Sequence, residues 1–553
     1  MRPVLHPIHV VAPKPSRGSD GDAPLRVQTD PDELILVNMD AAAMHGSGAA
    51  GLVEPRSEAQ LGAWLRDNPN DPILVQGALT SLTGGATPQR DIVVSTRRMT
   101  SLQVDPDGRT ATCGAGVVLA TLQAELAEHG LWYPPAPTHD GATIGGNVAT
   151  NAAGAATFKY GSTRDWVTRM RMMLRNGDVI EVRRGHLQVA GGDVVRVLGS
   201  RTFEFVVPSY RTPDVRKISA GYYVRSPMDL IDLLVGAEGT LGIVTEVELR
   251  VDVKPQVVTG LVFFGDVEKA IAFVLEMRRA SLEARQVGAQ AGLDARSIEF
   301  FDRRCLSLLR DTGKLSECGV NVPDGAKACL LFELEVPPHT RSEDLIDDLA
   351  RASEGRGGSD MAARLMGLLG SFGVLETCEL AMPDQVRRQR QLSSVREAIP
   401  LGLSEWLKQQ KKRDPAVHKV GGDMIVPMDR FEMMLARYYE AFGARGVDVA
   451  VFGHISDGNV HPNGLPTSGA QVELAKEALL ELAREAKRLG GSPLSEHGVG
   501  RHPLKRMMLE AFWGKEAIAE MKAIKRAFDP GWTLNRGVLF DPGGVEPEME
   551  QDR

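Results

Sequence analysis

The chain has 553 residues, of which 43% are hydrophobic and 25% charged, and this ordinary globular composition provides material for two or three domains. The net charge of −8 argues against nucleic acid as the main partner. No apolar run reaches the length of a membrane span, and the five scattered cysteines form neither a disulfide framework nor an iron–sulfur motif. We therefore expect a cytoplasmic protein, with peripheral contact at the inner face of a membrane left open.

The N-terminal half alternates strand and helix patterns after a polar segment, residues 1–28, which we interpret as a flexible tail. In LATLQAELAEHG, Leu119, Leu122 and Leu126 form a helical stripe that Gly130 can end. The stretch VTRMRMMLRNGDVIEVRRG predicts a hairpin that turns at Asn-Gly, and GIVTEVELRV alternates like a half-buried strand.

Three segments of this half, 77–85, 141–154 and 236–242, are rich in glycine. Glycine lets the backbone approach a ligand and presents N–H groups to phosphate, although a single such segment is more often a tight turn. Three of them favour a dinucleotide site. A nicotinamide site of the Rossmann type is disfavoured, because Leu119 takes the third glycine position in GAGVVLA.

The pattern changes after Lys254-Pro255, where longer and more charged helices begin. We assign residues 29–255 to one domain, 256–445 to a separate α+β domain, 446–540 to a C-terminal segment with two long helices, and 541–553 to a second tail.

The C-terminal segment contains GHISDGNVH, in which two histidines lie symmetrically about Asp457-Gly458. A two-residue Asp-Gly turn would place His454 opposite His461 on one face of a hairpin, about 5 Å apart at Cβ. That separation suits two imidazoles that share a cation, although a packed cross-strand pair is the alternative. A third ligand is expected from SEHGVGR, where Glu496 precedes His497. Two imidazoles and a carboxylate suit zinc, manganese or iron with positions left open for substrate.

Several of these motifs together resemble one family. TSLTGGA, PPAPTHDGATIGGNVATNAAG, KYGSTRDWV and LLVGAEGTLGIVTEV are similar to the flavin domain of the vanillyl-alcohol oxidase and p-cresol methylhydroxylase (PCMH) type. The D-lactate dehydrogenase, glycolate oxidase and D-2-hydroxyglutarate dehydrogenase branch is the nearest. The resemblance covers residues 50–540. It implies an α+β fold with FAD bound between two subdomains, followed by a ferredoxin-like substrate (cap) domain and a helical C-terminal segment that packs on the FAD domain.

The resemblance also implies which residues contact FAD. They are Gly77, Thr80, Ser81, Gly84, Gly85, Gly145, Gly146, Asn147, Thr150, Gly239 and Asn535. The first loop departs from the family pattern, because Ala78 and Leu79 replace two glycines, so its path is open. The histidine that some relatives link covalently to flavin is missing from this loop, and we expect non-covalent FAD.

The GHxxDGNxH and EHGxG motifs are the C-terminal signature of this family, and among the D-2-hydroxyglutarate dehydrogenases their two histidines and glutamate bind a divalent metal. The resemblance assigns the metal to His454, His461 and Glu496, and the role of base to His497. Asn459 is expected to orient the site. Arg396 matches a substrate-binding arginine and Lys419 lies near a second basic position, whereas Pro400 replaces the threonine of the family, which leaves the substrate open.

The implied function is oxidation of a D-2-hydroxy acid, of the lactate, glycolate or 2-hydroxyglutarate class, with FAD as the hydride acceptor. A quinone, an electron-transfer flavoprotein, a cytochrome or an iron–sulfur subunit must then receive the electrons. A homodimer is compatible with the sequence. Two alternatives stay open: an alkylglycerone-phosphate synthase-like transferase, and a flavin-binding electron-transfer subunit, which would be expected to lose the metal ligands.

Overall fold

The computed structural model describes residues 4–15, 23–135, 137, 139–288 and 292–541. Residues 542–553, most of the proposed C-terminal tail, lie outside this range. None of the described helices combines the length and the apolar character that crossing a membrane requires.

The N-terminal half, to residue 253, contains two sheets that matter for the site. Its strands are β1 (Leu5–Val11), β2 (Gly51–Val53), β3 (Ile73–Gln76), β4 (Ile92–Ser95), β5 (Leu102–Asp105), β6 (Thr110–Gly114), β7 (Leu131–Trp132), β8 (Val167–Met173), β9 (Val179–Arg183), β10 (Gln188–Val189), β11 (Val194–Leu198), β12 (Phe203–Val206), β13 (Met228–Asp229), β14 (Ile243–Arg250) and β15 (Asp252–Val253). Its helices are α1 (Pro31–Leu34), α2 (Glu58–Asp67), α3 (Leu119–Ala127), α4 (Ile144–Thr150), α5 (Thr157–Tyr160), α6 (Thr163–Trp166) and α7 (Leu230–Leu234).

The two sheets form two subdomains. A small parallel sheet has the order β2-β4-β3, and a large sheet has the order β12-β11-β1-β9-β8-β14-β6-β5. The predicted helix is α3, with all three leucines of its stripe buried, and the predicted Asn-Gly hairpin is β8-β9. These predictions are confirmed.

Two predictions for this half are wrong. Leu5–Val11 is not a tail, since β1 pairs with β11 and β9 inside the large sheet. Strand β14 is not half-buried: its polar face is covered as well, because Glu246 forms ion pairs with Arg169 at 2.7 Å and with Lys14 of the N-terminal segment at 2.6 Å. The N-terminal segment thus covers a face that the alternating pattern assigned to solvent.

The C-terminal half is built on a second large sheet with helices against it. Its strands are β16 (Gln256–Phe264), β17 (Ala295–Asp302), β18 (Ala328–Val336), β19 (Cys378–Ala381), β20 (Val420–Gly421), β21 (Met424–Ile425), β22 (Asp448–Gly453) and β23 (Asn459–Leu465). Its helices are α8 (Val267–Gln286), α9 (Arg303–Asp311), α10 (Lys314–Cys318), α11 (Ser342–Ser353), α12 (Asp360–Ser371), α13 (Val386–Arg413), α14 (Phe431–Gly443), α15 (Gly469–Arg488) and α16 (Pro503–Phe528), the last interrupted at Gly514.

The sheet order is β19-β16-β18-β17-β22-β23-β20. Strands β16 to β19, with helices after β16 and β18, have the βαββαβ order of a ferredoxin-like fold, and the implied α+β fold class is confirmed. Strands β22 and β23 extend this same sheet, so the sheet is continuous across the boundary that we placed at residue 445. After this sheet the chain contacts the N-terminal half again, where Val499 N–H donates to Glu238 and where Leu534 bridges to Ile73 in β3.

Candidate flavin cavity and metal site

A cavity with an empty volume of about 1370 Å³ lies beside β3 and α4, where the three glycine-rich segments meet. We call it the glycine-lined cavity. Most residues that the sequence assigned to FAD line it: Gly77, Thr80, Ser81, Gly85, Gly145, Gly146, Asn147, Thr150, Gly239 and Asn535. Glu496 and His497 line the same cavity. Residues that are far apart in the chain therefore share one binding volume.

Gly84, which the sequence also assigned to FAD, is not among the residues that line this cavity. Its φ of +69° lies in the left-handed region, and a Cβ at this position would lie 2.8 Å from the sulfur of Met44. Glycine is needed there for a turn and for packing against the segment of Met44.

Three glycines of the cavity wall are required by contacts between protein segments. A Cβ on Gly77 would lie 2.2 Å from Thr143 Oγ1, one on Gly145 2.6 Å from Ala115 Cβ, and one on Gly239 2.4 Å from Asn535 Nδ2. These glycines let the loops of the cavity wall pack closely against one another.

The loop that lacks two family glycines keeps a left-handed residue. Leu79 has a φ of +63° and lines the cavity, and its carbonyl accepts a hydrogen bond from Ala41 N at 2.9 Å. A branched side chain in this region costs roughly 1–2 kcal/mol. The loss of glycine therefore adds strain, but it does not remove the left-handed turn.

Asn535 and Glu238 join the cavity wall to neighbouring loops. Asn535 Oδ1 accepts from Val75 N at 2.9 Å, and its Nδ2 donates to the carbonyl of Glu238 at 2.8 Å. The Glu238 carboxylate accepts from the backbone N–H groups of Val499 at 2.9 Å and Gly500 at 2.8 Å. Burial raises the pKa of Glu238 to about 7, and these two N–H groups only partly oppose it. Glu238 thus ties the third glycine segment to the EHGVG loop.

Two polar atoms of the cavity wall have no hydrogen-bond partner among the described residues. They are Thr143 Oγ1 and Asn147 Nδ2, and both are buried. Buried polar atoms in native proteins are nearly always bonded, so these two fit a bound ligand with donor and acceptor groups. The glycine-rich loops of the wall and these two atoms fit FAD.

The GHISDGNVH segment forms a hairpin, but in another register than expected. His461 pairs with Phe452, and residues 455–457 form a 3-10 turn, so His454 lies in the loop and not opposite His461. The loop is longer than two residues, because β22 ends at Gly453 and β23 begins at Asn459, and only Gly458 of the Asp-Gly pair is left-handed, with a φ of +81°. The prediction of a type I′ turn is therefore wrong, although the two imidazole centroids still lie 5.6 Å apart.

Three histidines converge on Glu496, and we call these four residues the histidine cluster. The Nε2 atoms of His454, His461 and His497 lie 3.4, 3.3 and 3.2 Å from the Glu496 carboxylate. His461 and His497 stack at 5.1 Å. Neighbouring donors around a tetrahedral cation with bonds near 2.1 Å are separated by about 3.4 Å. One ligand atom each of Asp423, His461, Glu496 and His497 lies within 4.8 Å of the others, so these four residues could hold a divalent metal, and His454 lies beside them.

Two buried carboxylates orient this cluster. Glu299 Oε1 lies 2.6 Å from His454 Nδ1. Asp423 accepts the backbone N–H groups of Glu496 at 2.9 Å and His497 at 3.0 Å, and it also lies 3.5 Å from His461 Nδ1. Carboxylates behind metal-bound histidines are common, because they fix the tautomer and the ring orientation.

Asn459 acts on the same framework, as expected. Its Nδ2 lies 3.1 Å from Asp423 Oδ1, 2.9 Å from the Met424 carbonyl and 2.6 Å from Ser495 Oγ. Asn459 thus holds Asp423, which in turn holds the loop of Glu496.

The charges of the cluster favour a cation. Although burial opposes both shifts, Glu299 raises the pKa of His454 to about 9, and Lys217 and His454 lower the pKa of Glu496. Burial raises the pKa of Glu299, but the neighbouring cations His454 and Arg396 lower it by more. The resulting pKa of Glu299 is about 2. The ionised carboxylate of Glu496 beside imidazoles is a donor set that suits a divalent metal, and a bound metal would displace the proton of His454.

Lys217 was missed by the sequence interpretation. Its fully buried ammonium lies 2.7 Å from Glu496 Oε2 and 3.4 Å from Asp457 Oδ2. Glu299 and Asp423 were also missed as parts of the site. An acid in the apolar strand SIEFFD could have indicated Glu299, whereas KISAGYY gives no signal for Lys217.

The two proposed substrate-binding cations differ in position. Arg396, on α13, lies 3.6 Å from Glu299 and therefore directly behind His454. Lys419 lies just before β20 with an exposed side chain. The structure thus brings Arg396 to the cluster through Glu299, and it leaves Lys419 at the surface of the single chain.

Comparison with known proteins defines the class. Residues 254–539 match the C-terminal domain of FAD-linked oxidases, and residues 49–183 match an FAD-binding domain. The first match alone covers more than half of the chain, and the chain belongs to the FAD-linked oxidase family. It is an FAD-dependent oxidoreductase.

Three similar proteins extend over nearly the whole chain. The glycolate oxidase subunit GlcD of Bacillus subtilis is 29% identical over 514 residues and covers 92% of each chain. The D-lactate dehydrogenase of Archaeoglobus fulgidus is 29% identical over 88% of this chain and 90% of its own length. The D-2-hydroxyglutarate dehydrogenase of Stutzerimonas stutzeri is 28% identical over 94% and 96%.

A solved structure of an alkyldihydroxyacetonephosphate synthase has the same fold. The TM-score is 0.57 at 15% identity, and the match covers 92% of this chain and 81% of the other. This similarity concerns the fold and carries no conclusion about the reaction.

Proposed function

We propose that the protein is a metal-dependent dehydrogenase that oxidises a D-2-hydroxy acid to the 2-oxo acid with FAD. The relatives named for glycolate, D-lactate and D-2-hydroxyglutarate support the substrate class. The observation that carries the proposal is the position of Glu496 and His497, which line the glycine-lined cavity and belong to the histidine cluster. A hydroxy acid at this junction would reach both the cofactor and the metal.

His454, His461 and Glu496 would hold the metal, and the residues of the glycine-lined cavity would hold FAD without a covalent bond. When bound, the metal lowers the pKa of the substrate hydroxyl and FAD accepts the hydride. His497 would take the hydroxyl proton at Nε2. Its side chain is 29% exposed, whereas that of Glu496 is 7% exposed, so His497 is the member that a substrate can reach.

The substrate carboxylate needs a cation, and we assign Arg396 to this role with Lys419 as a second candidate. Guanidinium groups bind carboxylates in a bidentate manner, and Arg396 lies beside the cluster. Its helix α13 contains Pro400 where the family has a threonine, which favours a carboxylate pocket different from that of D-2-hydroxyglutarate dehydrogenases. Reduced FAD would pass its electrons to a quinone, an electron-transfer flavoprotein, a cytochrome or an iron–sulfur subunit.

The test is anaerobic flavin absorbance of the FAD-loaded protein with a panel of D- and L-2-hydroxy acids, with and without a chelator. We expect one D-acid to bleach the flavin, and we expect the chelator to abolish the bleaching. The variant His497→Gln, with metal and FAD still bound, should bleach at least about 100-fold more slowly, in line with the loss of a general base.

Two outcomes would contradict the proposal. If the fully loaded protein bleaches with none of the acids, the substrate class is wrong, and the transferase alternative should be tested next. If bleaching ignores the chelator, the histidine cluster does not act through a metal. The control is His129→Gln, which changes a histidine that is exposed on the protein surface and should leave bleaching unchanged.

A further inference from the structure

A second cavity lies on the other side of the histidine cluster from the glycine-lined cavity. Its empty volume is about 1080 Å³, and Lys217 and Asp457 form part of its wall. The two cavities are separated by neighbouring chain segments, since Asn151 Nδ2 donates to the Ile218 carbonyl and Ser219 Oγ donates to the Thr150 carbonyl at 3.0 Å. We call this second space the arginine cavity.

The wall of the arginine cavity is cationic. Five of its side chains carry a positive charge and three a negative charge, which leaves an excess of two positive charges. The cations are Arg164, Arg216, Lys217, Arg225 and Arg278, and the acids are Asp165, Asp214 and Asp457.

The three acids are already engaged with other groups. Asp165 caps α6 by accepting Ser162 N at 2.8 Å, and Asp214, itself 88% exposed, pairs with Arg225 at 2.8 Å. Asp457 lies 3.4 Å from Lys217. Asp457 also attracts Arg278 electrostatically, but the two form no ion pair in the described part of the chain.

Arg278, on α8, lies in this wall beside Phe158. Its Nη1 is buried and has no hydrogen-bond partner among the described residues. Its guanidinium stacks on Phe158 at 4.5 Å, and Arg285 stacks on the same ring at 4.4 Å. Arg285 has Asp294 as its partner at 2.7 Å, whereas Arg278 has no carboxylate partner in the described part of the chain.

Arg216, an exposed residue, adds a second cation to the wall. Its guanidinium donates to the Phe158 carbonyl at 3.0 Å and, within the described residues, meets no carboxylate. Stacking on Phe158 orients Arg278 but does not neutralise it. Burial lowers the pKa of the Arg278 guanidinium to about 10, and Asp457 opposes this only in part. A guanidinium with a buried, unpartnered donor atom, as in Arg278, is unusual in native proteins, because desolvation is costly unless a partner compensates it.

We propose that the arginine cavity binds a small, multiply charged oxyanion, with Arg278 and Arg216 as its principal ligands. Phosphate groups and carboxylates present several acceptor oxygens to planar guanidinium groups, and the cavity provides two such groups beside one another. This site is separate from the substrate carboxylate site assigned to Arg396, and it does not depend on the proposed reaction.

The experiment measures binding of inorganic phosphate to the FAD-loaded protein by isothermal titration calorimetry, with ionic strength held constant with chloride. We expect saturable binding, and we expect the variant Arg278→Gln to lose at least about tenfold in affinity, the effect of losing one charge-assisted contact. Arg279→Gln is the matched control, because Arg279 is the next residue on α8 but is exposed and paired with Glu276 and Glu283. This control should bind phosphate like the original protein.

Circular dichroism and FAD content establish that each variant is folded. Arg278→Lys, which keeps a positive charge in the same wall, should retain part of the affinity. Binding of phosphate to the metal would not change in Arg278→Gln, and it would appear in the titration as a separate equivalent of bound phosphate. Absence of phosphate binding in the original protein, or equal binding in the control Arg279→Gln and in Arg278→Gln, would overturn the proposal.

Discussion

The glycine-lined cavity is built from backbone, whereas the histidine cluster beside it is built from side chains. In the cavity, Gly77, Gly145 and Gly239 let loops approach one another more closely than a Cβ would allow. In the cluster, Glu496 and its three histidines are held by buried charges from other elements. The cavity should therefore respond to changes of volume, and the cluster to changes of charge.

The largest effect is expected from Glu496→Gln, which removes the carboxylate on which the three imidazoles converge. Metal affinity should fall more than about 100-fold, because changes behind the ligands already cost about 10–100-fold. The measurement is metal content at a buffered free-metal concentration. Glu473→Gln, at an exposed glutamate paired with Lys476 on α15, is the control, and one metal per chain in Glu496→Gln would contradict the assignment.

A smaller effect is expected from Glu299→Gln, which keeps the shape behind His454 but removes the charge. Metal affinity should fall about 10–100-fold, while FAD content stays unchanged. The same metal titration checks this. Glu335→Gln is the control, because Glu335 accepts a hydrogen bond from the Tyr160 hydroxyl at 2.6 Å and is not part of the cluster. Unchanged metal affinity would mean that His454 needs no charged partner.

Gly145→Ala tests the cavity by volume alone. The added Cβ would lie 2.6 Å from Ala115 Cβ, and such overpacking typically costs about 1–3 kcal/mol in the free energy of unfolding. FAD content should fall as well, because α4 must shift. In Gly443→Ala the new methyl group meets no atom within 4 Å, and this control should keep both stability and FAD. If Gly145→Ala is as stable and as loaded as the control, close packing of the loops is not what this glycine supplies.

The smallest effect concerns Glu238, which joins the two regions. Its pKa is about 7 in the folded protein against 4.5 for the free side chain, so the folded state holds a proton that the unfolded state has released. The original protein should therefore lose stability relative to Glu238→Gln as the pH rises from 4.5 to 7. The loss in the free energy of unfolding should be about 1 kcal/mol between pH 6 and pH 7, and the relative stability should level off above that. Denaturant unfolding of both proteins across this range measures it, and a difference that does not change with pH would contradict a buried, protonated Glu238.

The GHISDGNVH hairpin shows what a sequence pattern can predict about a site and what it cannot. The spacing of GHISDGNVH correctly indicated that the two imidazoles lie together, but it gave a wrong register, because a two-residue turn is only one of several loops that Asp-Gly permits. The continuity of β22 and β23 with β16–β19 was equally absent from the pattern, since strand neighbours are set by packing of distant segments.

The sequence by itself determined the fold class, the three glycine segments and the residue types of the candidate metal site, because these depend on local composition and on motifs that fit one chemistry. Only the tertiary structure decided the covering of β14 by the N-terminal strand segment, the partners of the cluster and the arginine cavity. The roles of four charged residues depend on their surroundings and on neighbours that are distant in the chain; these residues are Glu299, Asp423, Lys217 and Arg278. No local sequence pattern encodes such charges in low-dielectric surroundings.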